Sequence, residues 1–207
     1  MLPNCSEYRG AIDYRLWETA IRVRQIILIG STVLGSWLGM QAVHELGHFC
    51  GAALTGGRVE RVVLHPLTIS RTDLAENPAP LFVVWAGPIV GVVLPLLVWL
   101  VATVAKMPGA FVLRFFTGFC LLANGLYIGV GSFDRIGDCG EMLRHGSERW
   151  HLWVFGLSTA PVGLLLWHRQ GPHFGLGSAK GAVSHGAAIG CLVAFAVLVI
   201  LGLFVGE

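Results

Sequence analysis

Charge is what this chain has least of. Only 13% of its 207 residues are Asp, Glu, Lys or Arg, against 55% hydrophobic residues, and the mean hydropathy is +0.71. A soluble domain carries about twice that share of charge, so the composition argues against an ordinary water-soluble globule. The net charge of +2 is small, and no basic tract is interleaved with aromatics; no nucleic-acid partner is expected. Cysteine is sparse too. Cys5, Cys50, Cys120, Cys139 and Cys191 are scattered, odd in number and without a CxxC pair, which argues against a disulfide framework or a Cys-based zinc knuckle. The first 25 residues lack an apolar leader, because Arg9, Asp13, Arg15, Glu18, Arg22 and Arg24 interrupt it, and they do not read as a signal peptide.

What the chain has instead is apolar runs. They cover about Ile26 to Leu54, Pro80 to Ala105, Gly109 to Gly131, Leu152 to Trp167 and Val183 to Val205. Each approaches or exceeds the length needed to cross ~30 Å of hydrocarbon, the fourth being the shortest. Trp150, Trp153 and Trp167 lie near the ends of that fourth run, where interfacial anchors belong. Gly171 to Gly181 reads as a flexible loop. Ahead of the first run, Tyr8, Ile12, Leu16, Ala20 and Val23 recur at three- and four-residue steps. That pattern fits a short amphipathic helix on the bilayer surface over residues 1–25, and equally a solvated tail.

Between the first two runs the pattern changes. Gly56-Gly57 ends a helix, Arg58 to Leu64 reads as a strand, His65-Pro66 turns the chain, and Leu67-Thr68-Ile69-Ser70 alternates again. The expected fold is therefore an all-α polytopic membrane protein of about five transmembrane helices, with a short β-hairpin-like loop between the first two. A hairpin there could receive an extended peptide by strand addition, or simply cover the helix ends.

The chemistry sits in His44-Glu45-Leu46-Gly47-His48, near the end of the first run. An i, i+4 spacing stacks His44 and His48 on one helical face, within reach of one Zn²⁺. Glu45 lies beside them and can accept a proton from a water the metal activates. Ile26 to Val43 carry no formal charge, so the motif lies at membrane depth, where polar groups are costly and usually functional.

Two histidines need a third ligand. The soluble HExxHxxGxxH pattern is excluded, because Gly51 fits its glycine but Leu54 stands in place of the third histidine. Glu60 and Glu76 fall in polar connecting sequence. Asp138 is the better candidate, with Asp134 second and Glu141 third. In an up-down topology the first and third spans run the same way, so their C-terminal ends meet at one depth. Gly137 and Gly140 flank Asp138 and permit an irregular backbone there.

These pieces together resemble the site-2 protease-type intramembrane zinc metalloproteases. His44-Glu45-Leu46-Gly47-His48 resembles the family's zinc motif, Gly56-Gly57-Arg58-Val59 the segment after it, and Ala86-Gly87-Pro88-Ile89-Val90-Gly91 its Ala-Gly-Pro helix. Asn124, then Asp138 with Met142 and Leu143, resembles its Asn…Asp-Gly region, although Asn124 stands 14 residues before Asp138 with no Pro between, and Cys139 replaces the Gly. The resemblance runs from about Gly30 to Leu143. It implies Zn²⁺ held by His44, His48 and Asp138, Glu45 as catalytic base, and Asn124 as a contact to substrate backbone, a ligand-orienting group or a helix–helix hydrogen bond. Residues 26–143 would form the protease core of three helices and 144–207 two accessory transmembrane helices with the Gly-rich loop. The substrate would be a transmembrane segment of a membrane protein or peptide, cut within the lipid bilayer of the cell membrane. A catalytically silent relative that binds transmembrane partners, and a metal-handling transporter, are the other readings these residues admit.

Overall fold

A computed structural model describes the backbone of residues 5–205 and the side chains of residues 17–204. Six α-helices and one hairpin follow in the order α1 (Cys5–Leu54), β1 (Arg58–Val63), β2 (Arg71–Glu76), α2 (Pro80–Val104), α3 (Ala110–Gly131), α4 (Asp138–Arg144), α5 (Arg149–Trp167) and α6 (His185–Val205). Among the described residues five of these helices, all but α4, are long and apolar enough to cross a membrane. The five apolar runs and the hairpin between the first two are thus present as expected.

α1 is 50 residues long, about 75 Å at 1.5 Å per residue, far more than a bilayer core requires. It runs without a break from Cys5 through residue 26, so the N-terminal segment shares one helix with the first span. The side chains of Tyr8, Ile12 and Leu16, which would give that segment its apolar face, lie outside the described residues.

α1, α2 and α3 all touch one another; α5 packs on α3 and α6 on α1. Lipid tails are as apolar as leucine, so these helices cannot associate by hydrophobic burial alone and rely on close packing through small residues. The α3–α5 contact illustrates this. A Cβ on Gly156 would lie 2.7 Å from the Gly125 carbonyl oxygen and 2.9 Å from Gly129 Cα, and one on Gly163 2.7 Å from the Gly118 carbonyl oxygen.

The hairpin departs from expectation in its second strand. Leu67 to Ser70 does not pair. It forms the tip, where Thr68 N–H bonds back to the His65 carbonyl and Leu67 and Ile69 are exposed. The second strand is Arg71–Glu76, antiparallel to β1 with Arg61 opposite Asp73 and Arg58 opposite Glu76. Both pairs form ion pairs at 3.2 Å. Cross-strand charge complementarity, rather than the apolar alternation of Leu67 to Ser70, sets the register.

The second departure follows α3. The chain turns through left-handed backbone at Arg135 (φ 58°) and Gly137 (φ 59°), and Asp138 then opens the seven-residue helix α4. The irregular backbone expected around Asp138 is confined to the turn before it. Cys139 and Met142 on α4 are fully buried against Ile128 and Leu152, which anchors the short helix at the end of the bundle.

Gly156→Leu should lower the apparent melting temperature in detergent by about 3–10 °C, from the overpacking cost spread over a chain of this size. Gly190→Leu, where a Cβ meets nothing within 4 Å, should leave it unchanged.

Candidate metal centre

His44, Glu45 and His48 lie on the inner face of α1, and all three are more than nine-tenths buried. The helix brings the two imidazoles to one side, as the four-residue spacing requires. Gly47 sits between them because α2 crosses there: a Cβ at Gly47 would collide with the Ala86 carbonyl and lie 2.7 Å from Gly87 Cα. Glycine inside a helix costs about 1 kcal/mol relative to alanine, and here it lets two backbones touch. α2 answers with two glycines of its own. A Cβ on Gly87 would occupy the space of the His48 ring, and one on Gly91 would lie 2.9 Å from the Asn124 amide nitrogen. The Gly87–Gly91 step therefore makes room for two buried polar side chains as well as for a helix.

The hydrogen bonds place a proton on Nδ1 of both rings. Asn124 donates its amide N–H to the Cys120 carbonyl at 2.9 Å, so its oxygen is the end that faces His44 Nδ1 at 2.7 Å. That oxygen can only accept, so His44 Nδ1 carries the proton. His48 Nδ1 faces the Val83 carbonyl at 2.9 Å and must likewise donate. Pro88, which has no N–H to offer the Val84 carbonyl one residue along, loosens α2 beside this acceptor. Both Nε2 atoms are left with their lone pairs outward, the arrangement seen in metal-ligating histidines whose second nitrogen is tied to a carbonyl.

Those lone pairs converge. His44 Nε2 and His48 Nε2 are 3.1 Å apart, and Asp138 Oδ2 lies 2.8 Å from the first and 3.4 Å from the second. Ligands at ~2.0–2.2 Å around a tetrahedral ion would be separated by about 3.3–3.6 Å, close to this triangle. Three electron-rich atoms directed at one point need positive charge between them, and the donor set of two imidazoles and one carboxylate fits a divalent metal ion. Among the described residues these three form the group able to hold one.

The remaining candidates are elsewhere. Asp134 is exposed and Glu60 is exposed on β1; Glu76 pairs with Arg58. Glu141 borders the same cavity but pairs with Arg144 and His145. Asn124 has both ends of its amide engaged inside the protein, on His44 and on the Cys120 carbonyl, which matches the ligand-orienting and helix–helix roles expected of it rather than the substrate contact. Cys139 is a buried thiol pushed up to about 12 by burial first and by Asp138 second, which makes it chemically quiet.

Four contributors escaped the sequence reading. Ser70 and Thr72 each donate a hydroxyl to one oxygen of Glu45, both at 2.7 Å, and the Ser70 N–H bonds Gln41 Oε1 at 3.1 Å. The hairpin thereby docks on α1 across the motif. Gln41 lies four residues before Glu45 on the same face, and that spacing was the one available signal. Tyr127, three residues after Asn124, sets its ring edge against His44 with centroids 6.0 Å apart.

All these groups border one cavity of about 690 Å³, whose other walls include Trp37, Met40, Ile69, Leu74, Val83 and Val84. Its size is that of a small-ligand or peptide pocket. Comparison with family models, with curated proteins and with solved structures gave no match.

Gly87→Ala should displace the His48 ring and abolish metal binding. Asn124→Leu, which removes the acceptor for His44 and leaves all three ligands in place, should weaken it by roughly 10–100-fold. Equilibrium dialysis against Zn²⁺ checks both.

Proposed function

We propose that this protein is an intramembrane zinc metalloprotease of the site-2 type, which hydrolyses a peptide bond in or near a transmembrane segment of a membrane-protein substrate. One observation carries the reading: a three-donor metal cluster and a separate buried carboxylate, Glu45, border the same cavity at the shared end of two apolar helices. Three protein ligands leave a coordination position open, which is the habit of catalytic rather than structural zinc.

Zinc, when bound by His44, His48 and Asp138, would supply Lewis acidity and lower the pKa of water. The chain's own residues do the rest. Glu45 takes the proton of the attacking water and returns it to the leaving amine. Ser70 and Thr72 aim its carboxylate, and they leave lone pairs on both oxygens for that proton. Asn124 and the Val83 carbonyl keep the two imidazoles in the tautomer that ligates.

The cavity fits a substrate in extended form. A helix with its side chains is about 10–12 Å across and hides its carbonyls in hydrogen bonds, so the segment to be cut must unwind first. Arg71, Thr72 and Leu74 of β2 border the cavity, and β2 pairs on one edge only. An unwound segment can lie along the other edge as an added strand, with its side chains against the apolar wall. The site suits the lipid bilayer as its medium and a protein of the cell membrane as its partner.

Glu45→Gln should retain the metal yet reduce hydrolysis by at least about 100-fold, the scale of a lost general base. Profiling of new peptide termini in membranes expressing either form checks this. Termini within transmembrane segments are expected with the wild type and not with Glu45→Gln. Identical profiles would favour a silent protein that binds its partners without cutting them.

A further inference from the structure

Tyr127 is a hydrogen-bond donor of the cavity that the chemistry above leaves unused. Tyr127 lies on α3 one turn beyond Asn124, so the two share the face turned toward α1. Its hydroxyl oxygen accepts the backbone N–H of Asp138 at 3.1 Å, which brings the phenol to the residue that completes the ligand triangle. Gly137 keeps this approach open, since a Cβ there would collide with the phenol oxygen. Among the described residues the hydroxyl proton itself has no acceptor.

Its neighbours differ in this respect. The hydroxyls of Ser70 and Thr72 are spent on Glu45, and the amide of Asn124 on His44 and Cys120. Tyr127 is 43% exposed and is one of the residues lining the cavity. An O–H fixed through its oxygen, beside the ligand set and free at its hydrogen, is a donor poised for something that enters from outside.

The geometry points to Tyr127 as the residue that donates a hydrogen bond to the substrate carbonyl oxygen as negative charge develops there. This assignment rests on the hydrolytic reading of the site. As the water oxygen bonds to the carbonyl carbon, the C=O π pair moves onto oxygen and a water proton passes to Glu45. Tyr127 keeps its own proton and directs it at that oxygen. When the C–N bond breaks, the pair returns to reform the carbonyl, and the amine nitrogen takes the proton from Glu45. A preoriented donor in a water-poor site acts on the charged state more than on the neutral substrate.

The test uses the full-length, zinc-loaded protein in detergent, as wild type and Tyr127→Phe, with two probes of matched apolar side chains. A phosphinic pseudopeptide presents tetrahedral, charged oxygens. A mercaptoacyl peptide binds metal through sulfur and presents no such oxygen. Calorimetry should give a phosphinate affinity at least about 10-fold weaker in Tyr127→Phe, the worth of a hydrogen bond to a charged group. Thiol affinity, zinc content and melting temperature should be unchanged. Equal phosphinate affinity in the two proteins would overturn the assignment. So would a parallel loss of zinc and of both probes, which would make Tyr127 a positioning residue acting through Asp138. A wild type that holds zinc but binds neither probe would overturn the hydrolytic reading, and the assignment with it.

Discussion

Two hydrogen bonds decide the character of this molecule: those from the Nδ1–H of His44 and of His48 to carbonyl oxygens on α3 and α2. They turn two ordinary helix-face histidines into a pair whose second ring nitrogens converge on one point, where a metal ion could be held. They also dictate much of the packing. Asn124 must be buried to its oxygen, Val83 must present its carbonyl, and α2 must come close enough for the ring of His48 to fit above Gly87. α1 therefore cannot shift along α2 or α3 without losing the acceptors that hold its rings.

The surroundings make those bonds matter more than they would in water. Polar groups in hydrocarbon cost several kcal/mol each unless satisfied, and ionisable residues there are rare without a partner. At this site Glu45 is held by Ser70 and Thr72 and Gln41 is tied to the hairpin backbone, while the lone pairs of His44, His48 and Asp138 face one another and call for a cation between them. The hairpin is thus part of the centre as well as a connection between spans. It closes the polar end of α1 and leaves an apolar wall for whatever enters the cavity.

Much of this was legible in the chain itself. The five spans follow from runs whose length is set by the bilayer, and His44, Glu45 and His48 from a spacing set by one helical turn. Topology brings the stretch after α3 to the histidines, since two parallel spans must bring their C-terminal ends together, and leaves Asp138 ahead of Asp134 and Glu141. What was hidden depends on contacts between distant segments. Ser70 closes an alternating stretch and Thr72 carries no signal of its own, until the hairpin folds onto a carboxylate 25 and 27 residues earlier. Leu67 to Ser70 imitates a strand by alternation, but charge pairs on Arg71–Glu76 win the register. Gly87 looks like an ordinary close-packing glycine, and only the crossing with α1 shows the imidazole it accommodates. Asn124 stood out as a polar residue in an apolar span; its partner lay 80 residues away and could not be read from either segment.

The central claim is that His44, His48 and Asp138 hold a metal ion together, and elemental analysis of the detergent-purified protein tests it most directly. One zinc per wild-type chain is expected, lost in His48→Ala and weakened in Asp138→Asn, with all three proteins melting as folded species. A folded wild type without metal after zinc loading, or zinc that survives His48→Ala, would contradict it.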